Sequence, residues 1–228
     1  MEEGFMIAEN LQQVKDTLKP GVSLVAVSKF HPVEAIREAY DAGQRVFAES
    51  HVQELVAKQP VLPDDIEWHF IGHLQTNKVK YMAPFVSLIH SMDSVKLMKE
   101  IDKQGQKCGR VIDVLLQIHV AAEETKFGFT PEEVVEMLST GEWRTMSHVR
   151  IVGLMAMATN TDDEARIGRE FESVAQLFDV LKNHFFVDEP AFKELSMGMS
   201  GDYLMAQEHG STMVRVGSKI FGERNYNL

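Results

Sequence analysis

The sequence predicts an α/β protein built as a single (β/α)8 TIM barrel with an extra N-terminal helix, and three observations predict it. Short apolar runs that read as strands alternate with helix-period segments, eight strands by a generous count, within 228 residues. The first run, Ser23-Leu24-Val25-Ala26-Val27-Ser28, is mostly apolar on successive positions, which suits a strand covered on both faces. No Pro/Gly/Ser-rich linker, low-complexity tract or tandem repeat interrupts the chain, so residues 1–228 are expected to form one domain. An open doubly wound sheet is the alternative, because alternation by itself does not fix closure.

Phe5, Ala8, Leu11, Val14 and Leu18 recur at helical spacing and predict a leading helix over 5–19, stopped by Pro20 and Gly21. After the strand at 23–28, Pro32 opens a helix that runs to 42–43. The same unit then recurs: strand 45–48 with helix 52–58, 68–71 with 77–82, 88–91 with 94–104, and 111–120 with 131–138. Strand 149–156 precedes a long amphipathic run over 163–184, strand 194–197 precedes helix 203–208, and 213–216 is the last strand.

A formal net charge of −11, with no Lys/Arg run interleaved with aromatics, argues against nucleic acid as a partner. Met1-Glu2-Glu3-Gly4-Phe5 carries acid where a secretory signal carries base, and no apolar run approaches the ~20 residues of a membrane span. A cytoplasmic protein that does not enter the membrane is expected. Cys108 is the single cysteine, so neither an intrachain disulfide nor a thiolate metal cluster can form, and it reads as a structural or surface thiol.

Lys29 directly follows the first strand, at the end of a barrel strand where chemistry is usually placed. Dry barrel wall around such a lysine penalises the ammonium form and favours the neutral amine that attacks aldehydes. Taken alone, the residue reads first as a lysine that snorkels to solvent or pairs with a carboxylate. Near the C-terminus, 195–202 is rich in small residues and brings the Ser200 hydroxyl and backbone amides before a helix, while Arg215-Val216-Gly217-Ser218 follows the last strand. Barrels often bind phosphate after their seventh and eighth strands, which adjoin the first across a closed barrel. These residues therefore point to a phosphorylated carbonyl compound, either pyridoxal 5'-phosphate (PLP) or a sugar phosphate.

Five blocks carry a family resemblance: Ala26-Val27-Ser28-Lys29, Trp68-His69-Phe70-Ile71-Gly72 with Leu74-Gln75-Thr76-Asn77-Lys78, Gly153-Leu154-Met155, Leu195-Ser196-Met197-Gly198-Met199-Ser200, and Gly210-Ser211-Thr212-Met213-Val214-Arg215-Val216-Gly217. In order and extent they resemble the pyridoxal phosphate homeostasis protein family. The resemblance implies a barrel of the alanine racemase N-terminal type carrying PLP as a Schiff base on Lys29, with Ser200, Gly217 and Ser218 at the phosphate and Arg215 facing the pyridine nitrogen. A guanidinium stays charged and only donates, so it would keep that nitrogen unprotonated and weaken the cofactor as an electron sink. Met155, Met157, Met197 and Met199 read as packing residues, with Met155 the one expected against the cofactor ring.

The sequence departs from the family at Ala48-Glu49-Ser50, where Gly-Glu-Asn is common, at His73, where proline is common, and at His119, where asparagine is common. Both histidines read as loop or core residues with local hydrogen bonds, and Lys126-Phe127-Gly128 fits the family's Lys-x-Gly loop. His69 and His73 are four apart, but Gly72 and the strand deny them a shared helical face, so no metal is expected.

The resemblance implies a non-catalytic role in intracellular PLP homeostasis, with PLP-requiring apo-enzymes as candidate recipients and a monomer or weak dimer as the assembly. The alternative is a PLP-dependent amino-acid racemase-like enzyme, which needs a proton donor opposite Lys29. In alanine racemases that donor is a tyrosine from a second, β-rich domain, for which the residues between the phosphate loop and Leu228 leave no room. Tyr203 is the mild candidate among the four tyrosines, and it reads first as a helix-packing residue. An uncovered mouth suits exchange of the cofactor and suits water-excluding catalysis poorly.

Overall fold

The structure, a computed structural model, describes residues 6–123 and 127–227. Its strands are β1 (Ser23–Val27), β2 (Val46–Glu49), β3 (Glu67–Phe70), β4 (Leu88–Met92), β5 (Ile112–Ile118), β6 (Val149–Ala156), β7 (Glu194–Met197) and β8 (Met213–Val216). They close in sequence order into one barrel in which each neighbouring pair is parallel. Closure is made by β1 on β8, with Val25 opposite Arg215 and Ala26 opposite Val216, so the open sheet is excluded.

The helices are α1 (Ile7–Asp16), α2 (Val33–Asp41), α3 (Val52–Lys58), α4 (Val79–Met82), α5 (Val95–Cys108), α6 (Pro131–Ser139), α7 (Glu164–Phe185), α8 (Tyr203–Glu208) and α9 (Ser218–Phe221). Local chemistry sets several ends. Ser94 Oγ accepts from the Leu97 amide to start α5, and Gly109 ends it in the left-handed region at φ 65°. Thr130 and Glu133 form a reciprocal capping box at α6, and the Asp163 carboxylate accepts from the Arg166 amide at α7.

Two apolar clusters follow from the two faces of each strand. A small one, with Val25, Val27, Ala48, Leu88, Leu115, Val152, Met155 and Met213, fills the barrel, while the large one joins the outer strand faces to the helices. The interior also holds buried polar side chains, His69, His90, Ser196 and Arg215, whose partners are described below.

The leading helix α1 straps the region where the barrel closes. Asn10 Nδ2 donates to the Ile220 carbonyl of α9 over 3.4 Å, Thr17 Oγ1 lies 2.9 Å from Tyr203 Oη, and the Lys19 amide donates to Gln207 Oε1 at 2.7 Å. Phe5, the first residue of the expected helix, lies outside the described residues, as does Lys126 of the Lys-x-Gly segment. Among the described residues no helix is long and apolar enough to cross a membrane.

Candidate functional site

At the carboxyl ends of the strands a cavity of about 520 Å³ opens, within the roughly 300–1,000 Å³ range of small-molecule sites. Lys29, Met155, Ser200, Arg215, Gly217 and Ser218 all line it. Lys29 stands just beyond β1, Met155 on β6, Ser200 after β7, Arg215 on β8, and Gly217 and Ser218 at the start of α9. The lining also includes Ser50, His51, Gly72, His73, Gln117 and Arg224, but no carboxylate and no tyrosine among the described residues.

The turn that presents Lys29 is held from behind by a buried ionic cluster. Ser28 Oγ donates to Glu49 Oε1 at 2.8 Å, and Lys58 Nζ donates to that same oxygen at 2.7 Å and to the Ser28 carbonyl at 3.0 Å. Lys58 also reaches Glu54 Oε1, which accepts the Phe30 amide, both at 2.7 Å. Phe30 is the one non-glycine among the described residues with positive φ, at 63°, a conformation costly for a bulky side chain. The Glu54 bond holds that amide, and the Phe30 ring packs between His51 and Tyr226.

Burial lowers the Lys29 ammonium pKa, and the nearby positive charges of Arg224 and Arg215 lower it further, against the opposing pull of Glu49 and Glu54. Both effects shift the balance toward the neutral, nucleophilic amine. Glu49 is fully buried, its Oε2 has no hydrogen-bond partner, and desolvation pushes its carboxyl up to about 7 against the attraction of Lys58.

Arg215 is buried to 3% exposure. It donates to the Ser196 carbonyl at 2.9 Å, to Ser196 Oγ, and to the Ala156 carbonyl at 3.1 Å. Desolvation pulls its ionisation down to about 10, which leaves it charged at neutral pH. The loops after β7 and β8 meet where the Gly217 amide donates to Ser200 Oγ at 3.2 Å. Gly217 is also sterically constrained, since a Cβ there would stand 3.1 Å from the Val27 carbonyl oxygen.

Other residues fall differently. His73 lines the cavity, stacks on Phe127 with ring centroids 3.7 Å apart and pairs with Asp93 at 3.6 Å. His119 bonds locally to the Ala121 carbonyl at 3.0 Å. His69 lies at the other end of the barrel, lining a cavity at the amino ends of the strands, so it and His73 do not converge. Met197 is packed in the outer core, but Met157 and Met199 are half-exposed on the cavity rim, which corrects their reading as packing residues. Tyr203 is buried and faces α1. Sequence reasoning missed Arg224, which sits in an irregular tail with no periodic signal.

The donor set suits an anionic aldehyde: an amine with a lowered pKa, a charged guanidinium, and two Ser/Gly loops, with no acid among the described lining residues. Residues 6–225 match the model of the alanine racemase N-terminal domain family. The pyridoxal phosphate homeostasis protein of Aquifex aeolicus is 43% identical over 205 residues, covering 89% of this chain and 87% of the relative. That of Schizosaccharomyces pombe is 39% identical over 206 residues, covering 89% and 84%. PipY of Synechococcus elongatus with PLP bound superposes with a TM-score of 0.86 at 37% identity, covering 95% of this chain and all of that one (100%). An alanine racemase of Clostridium difficile shares the fold at TM-score 0.77 and 16% identity, and the chain spans 58% of it. A barrel of the alanine racemase N-terminal class is thus the architecture. Within it, the chain belongs to the pyridoxal phosphate homeostasis protein family.

Proposed function

We propose that the protein binds PLP through Lys29 and serves intracellular PLP homeostasis, holding and releasing the cofactor in the cytoplasm without turning over a substrate. The observation that carries this reading is the convergence of Lys29, Arg215 and the two Ser/Gly loops on one cavity. When bound, PLP supplies an aldehyde that bonds a primary amine, and a phosphate dianion. Lys29 provides that amine, its ammonium form penalised by burial and by the nearby arginines. Ser200, Gly217 and Ser218 hold the phosphate, Met155 supports the ring, and Arg215 faces the pyridine nitrogen as a donor that keeps it unprotonated.

The chain's residues 1–228 act as one domain in this reading, and PLP-requiring apo-enzymes are the recipients. A racemase-like reaction needs an acid on the face opposite Lys29, and no tyrosine or carboxylate lines the cavity among the described residues. The test is the absorption spectrum of protein incubated with PLP, repeated with Lys29→Ala, followed by borohydride reduction and peptide mapping. A visible band and a reduced adduct that both require Lys29 are expected, with no turnover across a panel of amino acids. Loss of neither in Lys29→Ala would overturn the site, and racemisation would overturn the carrier reading.

A further inference from the structure

A chain of buried side chains runs from the PLP cavity through the barrel. Arg215 donates to Ser196 Oγ, His90 Nδ1 lies 3.0 Å from that oxygen, and His90 Nε2 lies 2.9 Å from His69 Nδ1. The residues come from β8, β7, β4 and β3, and His90 and Ser196 are fully buried. His69 ends the chain at the opposite mouth, where it lines a cavity of about 580 Å³ with Glu67, Asp113, Arg150, Lys193 and Glu194.

The hydrogen-bonding capacities fix the direction of the chain. A guanidinium only donates, so the Ser196 oxygen accepts from Arg215 and its own proton is left to give. Among the described side-chain partners of Ser196 Oγ, His90 Nδ1 is the one able to take that proton, so donation to His90 is the arrangement that leaves no member of the chain unsatisfied. A neutral His90 with Nδ1 bare carries its proton on Nε2 and donates it to His69 Nδ1, leaving the His69 proton on Nε2 toward the far mouth. Burial holds both rings neutral, pulling His69 down to about 3 and His90 well below the usual range, the latter with further lowering from His69 and Arg215. Of the charged groups acting on Arg215, Asp202 favours its ionised form through space, while the hydrogen bonds of the guanidinium go to Ser196 and the Ala156 carbonyl.

We propose that Ser196, His90 and His69 form a one-way hydrogen-bonded chain that holds Arg215 by neutral acceptors alone, with His90 as its positioning residue, so that the full guanidinium charge faces the ring nitrogen of PLP. A carboxylate in the place of Ser196 would hold the arginine as firmly but cancel the field. A neutral chain fixes the geometry and leaves the charge uncompensated. Each hydroxyl or ring that donates onward becomes a better acceptor, so the chain tightens on Arg215. This rests on the PLP-binding reading above.

Two measurements test it separately. In the protein without PLP, 15N NMR of the imidazoles should show His90 and His69 neutral, both protonated on Nε2, across the range of pH in which the fold persists. His90 protonated on Nδ1 would overturn the direction of the chain whatever the protein binds. In protein loaded with PLP labelled at the ring nitrogen, His90→Leu and Ser196→Ala should raise the apparent pKa of that nitrogen by about one unit or more. Ser196→Thr, which keeps the hydroxyl, should restore the unsubstituted value. Ser196→Ala removes one atom and keeps the test usable if His90→Leu does not fold. An unchanged ring-nitrogen titration in variants that still carry PLP on Lys29 would overturn the proposal, whereas absence of a Lys29 adduct in the unsubstituted protein would instead overturn the reading on which it rests.

Discussion

The Gly217 amide and Ser200 Oγ meet at 3.2 Å, joining the segment after β7 to the one after β8 on the cavity wall. Two chain segments that share one hydroxyl are ready to share one anion, because the amide and the Ser200 proton can both turn to an incoming oxygen. Ser200→Ala is expected to weaken PLP binding about tenfold, the scale of one charge-assisted hydrogen bond, and to leave binding of unphosphorylated pyridoxal nearly unchanged. Equal losses for both ligands, measured by absorption titration, would remove Ser200 from the phosphate.

After burial, the charge of Arg224 is the largest influence lowering the Lys29 pKa. Replacing it with alanine removes a cation, so the Lys29 pKa should rise and less neutral amine should be present at pH 7. The pH–rate profile for capture of pyridoxal, which carries no phosphate, is expected to move to higher pH in Arg224→Ala. A profile that stays in place would show that the tail charge does not reach Lys29.

Glu49 has a carboxyl raised from 4.5 to about 7 by burial, so the folded protein binds that proton more tightly than the unfolded chain does. Its contribution to stability is fully present below about pH 4.5 and is lost as pH rises through about 7, at most about 3 kcal/mol. Glu49→Gln, which stays neutral, should flatten the stability curve over that interval. Urea unfolding at pH 5 and pH 8 is the measurement, and an equal slope for both proteins would contradict it.

Gly153 on β6 lies opposite Glu194 on β7, and a Cβ at 153 would fall inside the van der Waals radius of the Glu194 carbonyl oxygen. The obstacle is backbone, which cannot swing aside as a side chain does. Gly153→Ala is expected to cost more than about 4 kcal/mol or to give insoluble protein. Thermal melting within a few degrees of the unsubstituted protein would show that the two strands can part.

Much of this architecture was legible because its signals are local. Helix Val52–Lys58 and strands Val149–Ala156, Glu194–Met197 and Met213–Val216 follow the apolar runs to the residue. Closure was legible from the count of eight units and from the family resemblance rather than from any local pattern, since β1 pairs with β8 across nearly the whole chain and register has no local signal. The four-residue α9 and the turn over Glu142–Thr145 are too short for a period to show. Lys29, Ser200 and Gly217 stand out as residue types beside strand ends. The line from Arg215 to His69 needs the relative rotation of four strands, so nothing in the sequence joins His69 to it. Glu54 likewise gives no hint that it holds the Phe30 amide.

The strap of α1 across α8 and α9 has a consequence for synthesis on the ribosome. Ile7–Asp16 and Lys29 emerge early, but the helix's docking partners Tyr203, Gln207 and Ile220 emerge last, as does the strand that completes the barrel. A nascent chain therefore carries Lys29 as an ordinary exposed lysine, because the burial and the Arg215 and Arg224 charges that lower its pKa come only with the last-made part of the chain. The shift toward the neutral amine arrives only as the ring closes, and a stalled or shortened translation product would carry a solvated lysine with no cavity around it.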